Sequence, residues 1–323
     1  MPPSMLGRGS SSIPARTRRC ASMPSPSTSS TGTVSAGVDG SPESLAAAEW
    51  AAREAALRGL PLKLVSVWEP VPMAARAAFL GEESRGHWAG RIPVDAAAGI
   101  RERHPGLEVT ADQSTGRPGE VLARLAEESA LLVLGSRGLS GIGGFFVGSV
   151  GQAVLAETTS PVVFVRVPGE DDGTAGDGEQ TAGGPVVLGV DAHEPDDVLL
   201  RYAFEDAARR GAPLRVVHAW SLPPYFAYGL PQDPVLDAEL AKQEAAALTE
   251  VLAPWRAEHP GVEVTEAPTV GKTAEVLVEA ARGAALLVVG RRMRRAPFGG
   301  RIGSVAHAVL HHSTAPVAVV PHR

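Results

Sequence analysis

"EVLARLAEESALLVLGSRG", residues 120–138, places a helix, a strand and a glycine turn in one stretch. Val121, Leu122 and Leu125 recur at helical spacing behind Pro118, and proline suits a helix's first turn. "LLVLG" at 131–135 is unbroken apolar sequence, the pattern of a strand covered on both faces. The same frame returns as "EVLVEAARGAALLVVGRRM" at 275–293, so a whole helix–strand unit is repeated.

The repeat spreads outward from that stretch. "LPLKLVSVWEP" at 60–70 returns as "APLRVVHAWSL" at 212–222, "HPGLEVT" at 104–110 as "HPGVEVT" at 259–265, and "SPVVFV" as "APVAVV". The offset is 152 early and 155 later, which puts a three-residue insertion in one connection of the second copy. Two domains follow, 33–167 and 185–323. "PGEDDGTAGDGEQTAGG" at 168–184 is acidic, glycine-rich and without apolar periodicity, the composition of a linker. Residues 1–32 are rich in Ser and Pro and lack a signal peptide's apolar core, so they read as a disordered tail, with Met23 an alternative start.

In the first copy "TVSAGV", "LKLVSVW", "LEVTAD", "LLVLG" and "PVVFVR" predict strands. Helices are predicted over "PESLAAAEWAAREAALRG", near 89–103, over "PGEVLARLAEES" and from Ser149 to Glu157. Strands alternating with helices give an α/β fold: in each domain an open five-stranded parallel sheet with helices on both faces. The charge of −6 argues against a nucleic-acid or membrane-surface binder. A lone Cys20 excludes a disulfide framework and fits the cytoplasm. No apolar run approaches the roughly 18 residues of a membrane span.

"VLGSRGLSGIGGFFVGSV" at 133–150 leaves the carboxyl end of the fourth strand, the edge where open parallel sheets bind ligands. Gly135 ends the strand, Arg137 and Gly138 sit in the turn, and Gly148–Ser149 opens a helix. Glycine lets a ligand approach main chain, and a helix start offers unpaired N–H groups to an anion. The second copy keeps Gly290, Gly303 and Ser304 at the same spacing while most of the filling changes. Asp39 and Asp191 end the first strand of each copy. They serve either as turn residues or as acceptors for a nucleoside's sugar or base.

The pattern Gly-x2-Gly-x9-Gly-Ser at Gly135, Gly138, Gly148 and Ser149, with an aspartate closing the first strand, resembles the universal stress protein family. The resemblance covers nearly the whole chain except tail and linker. It implies strand order 3-2-1-4-5, with Asp39 and Gly135 on neighbouring strands. It also implies ATP, with magnesium as a companion ion. Asp39 would lie near adenosine, the Val67 backbone near adenine, and Gly138, Gly148 and Ser149 around the phosphates. Asp191, Ala219, Gly290, Gly303 and Ser304 repeat these places. Met293 departs from the pattern where the inner glycine should stand, while Arg291, Arg292, Arg294, Arg295 and Arg301 load that loop with charge that is either solvated or paired with phosphate.

No P-loop, Gly-x-Ser-x-Gly elbow, His-Glu-x-x-His or Cys-x-x-Cys occurs, so any ATP hydrolysis is expected to be slow. Adjacent His311 and His312 read as surface residues, His104 and His259 as turn residues, and Trp68 and Trp220 as core or rim packing. Three functions stay open: an ATP-dependent regulatory stress protein, a ligand-free interaction module of the same fold, and a slow ATPase. In the family the last strand pairs two domains, so the halves are expected to meet through "PVVFVR" and "PVAVVP"; further pairing of whole chains as a homodimer stays open.

Overall fold

The computed structural model describes residues 32–70, 82–136, 148–167, 183–222, 233–293 and 302–323, with residues 82–89 as backbone only. In the first half β1 (Val34–Gly37), α1 (Pro42–Arg58), β2 (Leu62–Trp68), α2 (Glu82–Arg103) and β3 (Val109–Thr115) come first. There follow α3 (Pro118–Glu128), β4 (Leu131–Gly135), α4 (Ser149–Glu157) and β5 (Val162–Val165). The second half repeats the order as β6 (Val186–Gly189), α5 (Asp197–Arg210), β7 (Leu214–Trp220), α6 (Pro234–Glu258) and β8 (Val264–Val270). It ends with α7 (Thr273–Ala280), β9 (Leu286–Arg292), α8 (Ser304–His312) and β10 (Val317–His322).

All ten strands lie in one sheet, β3-β2-β1-β4-β5-β10-β9-β6-β7-β8. Each half has the order 3-2-1-4-5 with parallel pairs throughout. The two halves join where β5 and β10 run antiparallel, Val163 opposite Ala318. The last strand of each half is therefore the seam. A single compact unit spans 31–323 rather than two separable ones.

The continuous apolar strands behave as covered strands must. Along β4, Leu131 and Val133 join one core cluster, with α1, α2, α5 and α6, while Leu132 and Leu134 join the other, with α3, α4, α7 and α8. Both clusters run across the seam. Beneath it α1 and α5 share a buried ionic quartet. Arg58 Nε donates to Glu54 Oε1 at 2.5 Å, Arg210 Nε donates to Asp206 Oδ2 at 2.6 Å, and Arg210 also reaches Glu54. Glu54 and Asp206 are related by the 152-residue offset, as are Arg58 and Arg210, so one patch meets its own copy about a pseudo-two-fold axis.

Several boundaries differ from the sequence expectation. β3 runs 109–115 rather than 107–112, because all seven residues of β2 find partners on it, polar Asp112–Thr115 included. α2 begins at Glu82 and carries Pro93 inside it, where polar residues hide the periodicity. Gly184 belongs to the second half rather than to the linker, since an added Cβ would lie 2.1 Å from the Gly283 carbonyl oxygen. The tail through residue 31 and linker residues 168–182 lie outside the described residues.

Candidate functional site

Strand length makes the cleft. β1 and β6 have four residues each, and β2, β7 and β9 extend beyond them toward the carboxyl edge. Successive residues of a strand bond to opposite neighbours. Leu62 N–H bonds the Glu108 carbonyl and Gly116 N–H bonds the Trp68 carbonyl, so even-numbered residues of β2 face β3. Odd-numbered ones face β1, and the Val65 carbonyl accepts from Val38 N–H just past β1's end. The next odd residue, Val67, therefore turns its N–H and C=O toward the space above β1. By the same alternation Ala219 faces the space above β6, two residues beyond the Val190–Val217 bond.

In the second half this space is a cavity of about 1010 Å³. Its walls include Asp191, Ala219, Gly290, Arg292, Gly303 and Ser304, all six second-copy residues singled out in the sequence. In the first half the corresponding Asp39, Val67, Gly135, Gly148 and Ser149 are described, but Arg137 and Gly138 lie outside the described residues.

The glycines differ in what they do. A Cβ on Gly135 would lie 2.6 Å from the Glu43 carbonyl carbon, so its bareness lets α1 pack on β4. Gly290 is similarly closed in by His322 and Leu199. It does not end its strand, because β10 pairs with β9 through Arg292 and Met293 N–H bonds the His322 carbonyl. Gly148 and Gly303 are the N-caps of α4 and α8, at φ −57° and −61°, which any residue can adopt. Among the described residues a Cβ there would meet nothing within 4 Å, and no side chain caps either helix. Neither strain nor packing against the described residues asks for glycine at these two places. They leave exposed helix N-termini that a ligand can approach closely, with Ser149 and Ser304 beside them.

Both aspartates have turn duties. Asp39 Oδ1 accepts from Ser41 N–H at 3.0 Å and from the Ser41 hydroxyl at 2.6 Å, and Asp191 Oδ1 accepts from His193 N–H at 3.0 Å. Gly40 sits at φ +82°, whereas its counterpart Ala192 is buried. The aspartate thus persists partly because it makes the turn while still standing exposed at the cleft edge.

The arginine-rich loop separates on inspection. Arg291 is buried and its guanidinium reaches the Thr158 carbonyl of the first half, which removes it from solvent and phosphate alike. Burial also holds its pKa below the usual arginine range. Arg292 stays at the cleft and donates to Glu194 Oε2 at 2.6 Å. Arg294, Arg295 and Arg301 lie outside the described residues. His311 is buried, contrary to the surface reading, with His307 Nε2 3.1 Å away. Its pKa is lowered by burial first and then by neighbouring positive groups.

Sequence reasoning missed three residues of the second cleft: His193, His218 and Glu244. Glu244 Oε2 lies 2.7 Å from His193 Nε2 and 2.8 Å from His218 Nε2. Burial alone would raise the Glu244 carboxyl, but these two contacts hold its pKa below the usual carboxylate range. The available signal was a pair of histidines at 193 and 218 where the first copy has Ser41 and Ser66.

No helix among the described residues is long and apolar enough to cross a membrane. The sequence profile of the universal stress protein family matches residues 31–166 and again 184–321. A universal stress protein of Mycobacterium tuberculosis H37Rv is 33% identical over 295 residues, spanning 88% of this chain and 96% of that protein. One from Mycolicibacterium smegmatis is 32% identical over 295 residues, at 88% and 95% coverage. The crystal structure of a universal stress protein from Archaeoglobus fulgidus DSM 4304 superposes with a TM-score of 0.64 at 19% identity, covering 90% of this chain and 98% of that one. A profile matched twice over most of the chain and relatives matched over nearly their whole length agree: the chain belongs to the universal stress protein family.

Proposed function

We propose that each half binds an adenine nucleotide, ATP with its magnesium, and that the protein acts in the cytoplasm as a nucleotide-dependent regulator of the stress response rather than as a fast catalyst. One observation carries the reading. Gly148 and Gly303 are bare helix caps that neither backbone strain nor packing among the described residues requires, set at the carboxyl edge of the sheet. Phosphate is the natural occupant of such a cap, because unpaired N–H groups and the helix dipole both favour negative charge. Asp191 and Ala219 share the second cleft with Gly303 and Ser304, where Asp191 offers acceptors to a ribose or base, and Asp39 and Val67 hold the matching places of the first copy. Arg292 offers the second site a cation, shared with Glu194.

The stoichiometry of nucleotide in gently purified protein, measured by native mass spectrometry and calorimetry, tests this. Two equivalents per chain support both sites, and one supports the first half alone, with Met293 closing the second. No ATP binding at about millimolar ligand, where even a binding free energy of only ~4 kcal/mol would register, overturns it and leaves the ligand-free interaction module as the reading.

A further inference from the structure

We propose that His193, His218 and Glu244 form a zinc-type divalent metal site in the wall of the second cleft, distinct from any magnesium carried in by a nucleotide. The three ligand atoms all lie within 4.8 Å of one another. They come from three separate segments: the turn after β6, strand β7 and helix α6. Two imidazole nitrogens and one carboxylate oxygen are a borderline donor set that suits zinc, whose sites with three protein ligands keep a fourth position open.

The surroundings are those of a ligand shell. His218 is 4% exposed and Glu244 17%, so both are held by packing, while His193 is 60% exposed and gives entry from the cleft. Ala192 N–H donates to His218 Nδ1 at 3.2 Å, which assigns the proton of the metal-free ring to Nε2, facing Glu244. The Val190 carbonyl lies 3.3 Å from the same Nδ1. With metal at Nε2 the ring proton belongs on Nδ1, where the Val190 carbonyl accepts it, the usual outer partner of a metal-bound histidine, and Ala192 N–H then gives up Nδ1 as its acceptor.

The chain's own duplication supplies an independent comparison. Ser41 and Ser66 occupy the places of His193 and His218, and the two offsets set Glu244 against Ala89 or Ile92. All three ligands are absent together from the first half. Thus the second cleft is not a weakened copy of the first but a differently equipped one.

The test uses the full chain, stripped with chelator and titrated with Zn²⁺ alone, without nucleotide, by calorimetry and elemental analysis. One equivalent is expected. His193→Ala, at an exposed position, and Glu244→Gln should each weaken binding by about 100-fold or more, since even outer partners cost 10- to 100-fold. His307→Ala with His311→Ala should bind zinc as the parent does. No uptake at about 100 μM Zn²⁺, far above the dissociation constant of an intact three-ligand site, overturns the proposal and leaves a hydrogen-bonded His–Glu–His cluster. Uptake lost only in the His307/His311 variant also overturns it. Because nucleotide is absent from every arm, the outcome is separate from that of the ATP experiment.

Discussion

A methyl group added at Gly135 would lie 2.6 Å from the Glu43 carbonyl carbon, whereas one added at Gly148 would find none of the described residues within 4 Å. The pair therefore separates a packing glycine from a ligand-approach glycine within one loop frame. Gly135→Ala should force α1 off β4 and lower the unfolding free energy by about 1–3 kcal/mol, measured by urea denaturation. Gly148→Ala should cost less than about 1 kcal/mol, the scale of a cap change. It should nevertheless lower ATP affinity at least about tenfold, or ~1.4 kcal/mol, in calorimetry. A Gly148→Ala variant that unfolds early while keeping its ATP affinity would reverse the two assignments.

Among elements, the connection after α4 is held by Glu127 at the end of α3. Its carboxylate accepts from the hydroxyls of Thr158 and Thr159 and from Thr159 N–H. Burial would raise this carboxyl, but the hydrogen bonds outweigh it and hold the pKa below the ordinary glutamate value. A carboxyl depressed in the folded state stabilises above its unfolded pKa, about 4.3, and that contribution fades as pH falls through the folded value. Glu127→Gln should therefore be less stable than the parent at neutral pH, with a smaller gap at an acid pH below the ordinary glutamate value of about 4.3. Urea midpoints at the two pH values check this. The same connection receives Arg291 at the Thr158 carbonyl, so loosening it should also disturb the seam.

For the whole molecule the seam includes the β5–β10 ladder and the ionic quartet between α1 and α5, beside the Arg291–Thr158 bond and the shared core clusters. Asp206 is 1% exposed and bonded by Arg58, Arg209 and Arg210. Asp206→Ala leaves Arg58 and Arg210 sharing Glu54 as the remaining carboxylate of the quartet and removes the carboxylate that Arg209 bonds. Breaking one side of such a buried set costs about 3–5 kcal/mol, whereas exchanging all its members for apolar residues is often neutral. Differential scanning calorimetry should show the single change lowering Tm well below that of a fourfold apolar variant. One transition for both halves is expected, since each core cluster crosses the seam. Two separated transitions in the parent would contradict a shared core.

The sequence by itself determined the repeat, the strand and helix alternation and the two-sided cores, because unbroken apolar runs such as 131–135 have only one way to be buried on both faces. It also marked Gly148, Gly303 and the two edge aspartates, whose spacing survives duplication. It left β3 and α2 blurred, since an edge strand and the first turns of α2 carry polar residues that erase the period. What only the tertiary structure decided are the pairings between segments distant in the chain. Glu54 with Arg210, Arg291 with Thr158 and His193 with His218 and Glu244 are each unremarkable in their own windows. Their charges and lone pairs acquire meaning only when folding removes water and brings them within hydrogen-bond reach.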